Sequence, residues 1–510
     1  MTRPIFVLTL LLSAAYLGAQ SEADQLKACL LNYINGTSYN QPAQIEKAFY
    51  DKANLYLSKP DEPIFLVPPK EYASWFNRGK PGEANGRIGN ILSIDISNDI
   101  AIAKAEILIP ARDLRYIDLF LLKKLDQQWK IISKAATLMT EDAPSIQSST
   151  NPTKEVVFEG LLHPWSIAFL NDDEALVSEK DGELVKVNLT TKTKTSISGF
   201  PEDLVDSIRV RSRGDNSGIF EVILDPNFSS NQHIYVSYTA ENEEGATTKV
   251  IRAKLEGNGL VDIQPLFVAA PYTREMYHYG GGMTFGQDGK LYITVGERLF
   301  NEKDQPPMPI AQNLEDKRGK IYRLNPDGSI PEDNPDFGAN SVPGLYAVGI
   351  RAAQGITLHP ETGEIWFSEH GTIQGDEINI LRKGANYGWP IITTGKYRAP
   401  NYDPPKLEGV NFTDPTWHWL HTVAPTGLTF YTGDEFPAWK GSLLVPGLSR
   451  GSLWRFTVDG QTLKLAEELF VDDRVRSRKI KQSPNGKLYM LTDEENGKII
   501  RIRNQDQEKR

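Results

Sequence analysis

Six times in the last two thirds of the chain one phrase recurs: an apolar strand, a tight turn, and a second apolar strand. The phrases are "WSIAFLNDDEALVSEKDGELVKV", "GIFEVILDPNFSSNQHIYVSYT", "GGMTFGQDGKLYITVGE", "GITLHPETGEIWFSEHG", "GLTFYTGDEFPAWKGSLLVPG" and "KIKQSPNGKLYMLTDEENGKIIRI". Most are followed by a further strand, as in "GKIYRLNPDG" and "SLWRFTVDG". A lone hairpin cannot bury both its faces, whereas like units set around an axis bury one another's and leave a central channel. The chain is therefore expected to be mainly β, with a six-bladed β-propeller over residues 156–505. A large β-sandwich is the rival, and six like units in series weigh against it.

Ahead of the repeats the pattern differs. Residues 1–20 carry an early Arg3, an apolar run from Ile5 to Leu12, and small residues at Gly18 and Ala19. That is the anatomy of a signal peptide and predicts a periplasmic or secreted protein with no membrane span. Residues 21–140 open with two helix-like segments, "SEADQLKACLLNYING" and "QPAQIEKAFYDKAN", and continue as alternating strands that end in "LFLLKKLDQQWKIISKA". This α+β order resembles the NTF2-like cone folds, in particular the lumazine-binding-like branch. The resemblance implies a fold and no particular activity, and a homodimer through this domain is one possibility. The polar stretch over 141–155 reads as a linker. Cys29 is the only cysteine and lies in a helical apolar pattern, so it reads as a small buried hydrophobe. The net charge of −10 supplies no basic surplus for a nucleic-acid partner.

In a propeller the inner strands and the loops beside them face the channel, so chemistry is sought there. Before the third unit stand Tyr277, His278 and Tyr279, then Gly280, Gly281 and Gly282. A histidine is a base at neutral pH. The glycines are expected to clear space for a flat ligand. In the fourth unit Arg351 precedes the inner strand, where a fixed cation polarises a carbonyl, and Glu369, Asp376 and Glu377 are oxygen donors of the kind Ca²⁺ prefers. Before the sixth unit Arg474, Arg476 and Arg478 alternate. In a strand they share one face, which calls for an anion to hold them together.

Together these segments resemble the glucose/sorbosone dehydrogenases, the soluble glucose and aldose sugar dehydrogenases that depend on pyrroloquinoline quinone (PQQ). "HYGGGMTFGQDGKLYITVGE", "RGKIYRLNPDGSIPEDNP", "GIRAAQG", "GDEINILRKGANYGWP", "LLVPGLSRG" and "SPNGKLYMLTDEENGKIIRI" fall in that family's order. The resemblance implies that His278 is the general base and Glu297 its acidic partner. It further implies that Arg351 polarises the quinone carbonyl, and that Arg476 and Arg478 hold the cofactor together with positions Asn216 and Ser449. Gly371 and Thr372 would bind Ca²⁺ through their carbonyls beneath the cofactor. Glu377 and the Tyr387 carbonyl would form a second, structural Ca²⁺ site. The chain departs from the pattern at Ala352 (asparagine in the family), Ser449 (lysine), Asn216 (glutamine) and Thr372 (proline). The last change keeps a carbonyl ligand.

Two principal readings follow. One is PQQ- and calcium-dependent oxidation of an aldose sugar or related alcohol, with electrons passed to an acceptor other than NAD or oxygen. The alternative is a cofactor-free propeller that binds a glycan or a protein, motivated by Ala352 and Ser449. A calcium-dependent lactonase is a third and weaker reading. Substrate choice is expected to rest on loops 298–312 and 391–422. In the latter, Trp417, His418, Trp419 and His421 either stack on a sugar or pack the rim.

Overall fold

The computed structural model describes residues 22–59, 62–109, 112, 114–139, 152–205, 216–449, 451–471 and 475–505. The expected signal peptide, most of the expected linker, Arg450 and Arg474 lie outside the described residues. Two compact units emerge, Met1–Ala143 and Pro144–Arg510.

In the first unit, helix Glu22–Ser38 buries Leu26, Leu30, Tyr33 and Ile34, spaced three and four apart along one face. The second helix, Pro42–Ala48, is shorter than its sequence suggested. At Phe49 the chain turns extended and begins an 11-residue strand. That strand joins a six-stranded sheet and runs parallel to Gln128–Leu138, the last strand of the unit. Cys29 is buried, and its thiol donates to the Ala48 carbonyl at 3.3 Å. No helix among the described residues is long and apolar enough to cross a membrane.

Among the described residues, the second unit contains six four-stranded antiparallel sheets. Their first strands are Pro164–Phe169, Ile219–Leu224, Gly280–Phe285, Ala353–Leu358, Thr429–Phe430 and Ser477–Gln482. Each neighbours the next, and the sixth neighbours the first, which closes a ring. Six apolar clusters fill the six gaps between consecutive sheets. Every sheet thus buries both faces, which is why the repeats read as apolar on most positions.

A first strand has a ladder partner on one side only, so its other backbone groups need donors from elsewhere. The second strands supply them across the gaps. Ser178 donates to Phe220, Ser237 to Gly281, and Thr294 to Ala353, at 2.5, 2.5 and 2.9 Å.

The sixth sheet takes its fourth strand from the other end of the unit. Pro152–Leu161 pairs antiparallel with Gly497–Asn504, register Asn504↔Pro152 to Gly497↔Leu161. This strand takes in residues 152–155, assigned to the linker from sequence. Those positions are polar and carry a proline, yet as an outermost strand they need only one ladder partner.

Candidate functional site

His278 lies just before the third sheet's first strand, with φ of +50°. A non-glycine residue in that region is held there by its surroundings. Arg298 supplies much of the hold. Its guanidinium donates to the carbonyls of Tyr277 at 3.0 Å, Ala246 at 2.8 Å, and Glu275, and it lies 3.7 Å over the Tyr279 ring. His278 is half-buried, and its buried Nδ1 has no hydrogen-bond partner. Burial first, then Arg351 and His370, push its pKa well below the usual histidine value, so the ring is neutral at neutral pH.

The three glycines serve a purpose other than the one expected. A Cβ on Gly281 would meet the Phe220 ring at 2.6 Å, and one on Gly282 the Gln354 carbonyl oxygen at 2.6 Å. The space belongs to the second and fourth sheets. Gly281 and Gly282 let three first strands converge, while a Cβ on Gly280 would meet Gly296 N and Thr294 O of its own sheet at 2.7 and 2.8 Å.

Arg351 is buried. Its backbone N–H donates to Glu369 Oε2 at 2.9 Å, and its carbonyl accepts from Glu297 N at 2.9 Å. Glu297 Oε2 accepts from Gln305 at 2.6 Å. Burial lifts the Glu297 carboxyl to about 7, opposed by the Arg351 charge. The expected His278–Glu297 pair is not made: the carboxylate answers to Arg351 and Gln305. Beside them His370 has a buried Nε2 without a partner, and burial followed by Arg351 lowers its pKa to about 3.

Arg476 and Arg478 do share a face, and an anion does hold them, but it is internal. Asp493 Oδ2 accepts from Arg476 at 3.0 Å and from Arg478 at 2.7 Å. Arg478 also donates to Gln354 at 2.9 Å, and its buried Nε has no partner. Arg476 keeps half of its side chain exposed. Asn216 is placed at this site by its N–H donating to the Met276 carbonyl at 3.1 Å, two residues before His278. Ser449 is exposed, and its backbone N–H donates to the Val423 carbonyl at 3.0 Å.

The two expected cation sites fare differently. Glu377 and Glu369 stand directly opposite on paired strands, both buried. Burial and the facing like charge hold the Glu369 pKa up, and burial holds Glu377 up. The buried Oδ1 of Asn379, two residues along the strand from Glu377, has no partner. Tyr387, whose carbonyl completes the expected set, is fixed by hydroxyl bonds to Ile380 O at 2.7 Å and Arg382 N at 2.9 Å. The Glu377 oxygens are met by neutral donors, Oε1 by the Thr394 hydroxyl at 2.7 Å and Oε2 by Asn379 Nδ2 at 3.4 Å, and no cluster of three or more metal-ligating His, Cys, Asp or Glu side chains stands among the described residues. Asp376 is not part of the pair. Its oxygens accept the N–H groups of Gly371, Val423 and Ala424 at 2.8, 2.6 and 2.7 Å.

At Gly371 and Thr372 the carbonyls are already engaged. Gly371 O accepts from Arg351 Nη1 at 2.5 Å, and Thr372 O from Arg398 Nη2 at 3.1 Å. The residues present therefore do not fit a cation there.

In the 391–422 loop, packing prevails over sugar stacking. Trp419 is fully buried in the apolar cluster between the fourth and fifth sheets, and Trp417 packs against it. His421 is buried beside Trp454, ring centroids 5.7 Å apart, and His418 pairs in register with Glu377. Arg398, Arg298, Glu302, Asp493 and His370 were not foreseen. Only Asp493 had a signal: a carboxylate one residue beyond the strand that pairs with the arginine-bearing one.

Residues 161–501 match the family model "Glucose / Sorbosone dehydrogenase", and residues 21–135 match "Putative lumazine-binding". Aldose sugar dehydrogenase YliI of Escherichia coli (strain K12) is 33% identical over 357 residues, covering 68% of this chain and 92% of that protein. Quinoprotein glucose dehydrogenase B of Acinetobacter calcoaceticus is 28% identical, covering 68% of this chain and 86% of that protein. The apo-form structure of the soluble aldose sugar dehydrogenase from Escherichia coli superposes with a TM-score of 0.63 at 30% identity, over 70% of this chain and 100% of that one. With histidine, arginines and sheets in this order, the chain belongs to the glucose/sorbosone dehydrogenase family.

Proposed function

We propose that this chain is a PQQ-dependent dehydrogenase of aldose sugars or related alcohols, built on a six-bladed β-propeller, with His278 as general base. One observation carries the reading. Arg351, Arg398, Arg476 and Arg478 belong to one site with His278 and His370, and buried nitrogens of Arg351, Arg398, Arg478, His278 and His370 lack partners. Unfilled donors among several fixed positive charges suit a flat polyanion such as a tricarboxylic quinone. Similarity to proteins named quinoprotein glucose dehydrogenase and aldose sugar dehydrogenase supports the same choice.

Bound PQQ supplies a two-electron acceptor for hydride. Arg478, Arg476 and Arg351 would hold it, with Asn216 alongside. Neutral His278 takes the proton of the sugar's anomeric hydroxyl onto its ring, and its fixed backbone aims it. Arg351, anchored on Gly371 O, presents a charge that needs no reorganisation during reaction. A Ca²⁺ ion at Glu377 and the Tyr387 carbonyl has a structural part in this reading. An electron acceptor, export to the periplasm or medium, and a homodimer through the first unit complete it.

The test is titration of purified protein with PQQ, followed by dye reduction with a panel of aldoses. Stoichiometric binding and turnover are expected, with turnover falling by roughly 10²- to 10⁴-fold in His278→Ala. Absence of binding at micromolar PQQ would overturn the reading and favour a cofactor-free binding propeller.

A further inference from the structure

Among positions that depart from the family pattern, Thr372 looked mild because a carbonyl survives the change from proline. The structure gives its hydroxyl a specific partner: Thr372 Oγ1 donates to Glu302 Oε1 at 2.5 Å, a bond proline cannot make. Glu302 is buried, and its other oxygen accepts the N–H groups of Arg398 and Ala399 at 3.0 and 3.1 Å. Its carboxylate therefore ties three segments together, residues 302–304, 372 and 398–399. The Arg398 guanidinium is aimed by two contacts. It lies 4.2 Å over the Phe300 ring, itself packed 4.9 Å from Tyr277, and it donates to Thr372 O at 3.1 Å. Arg351 donates to the adjacent Gly371 O at 2.5 Å.

We propose that in this chain two guanidinium groups, Arg351 and Arg398, take the place of a Ca²⁺ ion at the Gly371 and Thr372 carbonyls, so that cofactor binding needs no metal there. Ca²⁺ bonds carbonyl oxygen at about 2.3–2.6 Å, so on these two oxygens it would be crowded and repelled by the two guanidinium cations already bonded to them. Arg398 is the second of these two charges. Its buried Nε has no partner and is left to face an anionic ligand. The inference rests on the PQQ reading for its purpose and on the two carbonyl bonds for its geometry.

Two measurements on the full chain test it. In the first, metal-stripped protein is equilibrated with Ca²⁺, freed of excess, and the bound ion counted with and without PQQ. At most one equivalent is expected in the wild type and none in Glu377→Gln. Two equivalents in the wild type, or one retained by Glu377→Gln, overturns the proposal, and the wild-type count decides should the variant not fold. In the second, PQQ is titrated in chelator and in Ca²⁺. Equal affinity is expected, whereas Arg398→Ala should bind roughly tenfold or more weakly in chelator and recover on addition of Ca²⁺. A tenfold or larger gain for the wild type on adding Ca²⁺ overturns the proposal. Absence of PQQ binding under every condition overturns the proposed function instead, and the calcium count still decides this inference.

Discussion

Glu297 is a buried carboxyl with its pKa near 7, raised by desolvation against the pull of Arg351. The native state thus holds a proton here between the unfolded carboxylate range and about pH 7, where the unfolded chain has lost it. The stability this confers is full below the unfolded pKa and disappears as pH rises through about 7, on the order of 3 kcal/mol in all. Glu297→Gln should remove that slope. Urea midpoints at pH 5 and pH 8 should draw together in the variant. Asp493 behaves in the opposite sense. Burial opposes its ionisation, but Arg478, His163 and neighbouring cations hold its pKa well below the usual carboxylate value. Its contribution is present above about pH 4 and lost on acidification. Asp493→Ala leaves buried Arg478 without its anion and should cost about 3–5 kcal/mol in urea unfolding at pH 7. At this scale the sequence was half legible. Arg476 and Arg478 alternate visibly and demanded an anion, but whether that anion is a ligand or a strand neighbour depends on register, which is a tertiary fact. Arg398 stands in an irregular loop where no periodicity fixes a direction, so its bond to Thr372 O left no trace in the pattern.

The elements were more legible than the contacts between them. Six hairpins announced themselves because alternation and turn residues are local, and each first strand falls where its phrase begins. The closing strand did not, because Pro152–Leu161 is half exposed and its partner lies more than 300 residues away in sequence. It nonetheless fills the gap between the sixth and first sheets through Phe158 and Leu161. Phe158→Ala should cost about 3–5 kcal/mol and lower the unfolding midpoint of the whole second unit, since opening the seam exposes two sheets at once. A local proteolytic nick with an unchanged midpoint would contradict this. Trp419 supports an element in the same way. Its ring sits 5.7 Å from Trp454 between two sheets, so Trp419→Ala should lose about 3–5 kcal/mol of stability while KM for any sugar stays near the wild-type value.

At the scale of the whole second unit, buried charge joins first strands that belong to different sheets. Lys479 of the sixth sheet forms a buried ion pair with Glu221 of the second, and Ser166 of the first donates to the other Glu221 oxygen at 2.6 Å. The Lys479 ammonium also lies 5.0 Å over the Trp165 ring. The side chains of three sheets thus meet at one point, and the pair joins strands 258 residues apart in the chain. A buried pair of this kind is poor evidence of net stability, since desolvation offsets much of the attraction, but either partner alone is costly. Lys479→Met should destabilise by about 3–5 kcal/mol, and Glu221→Gln by less, because the amide still accepts from Ser166. The double variant should recover most of the loss, giving a coupling energy of about 2 kcal/mol or more in urea unfolding. Simple additivity of the two losses would mean that the pair does not act as a unit, and that the hydroxyl bonds and apolar clusters between the sheets close the ring unaided.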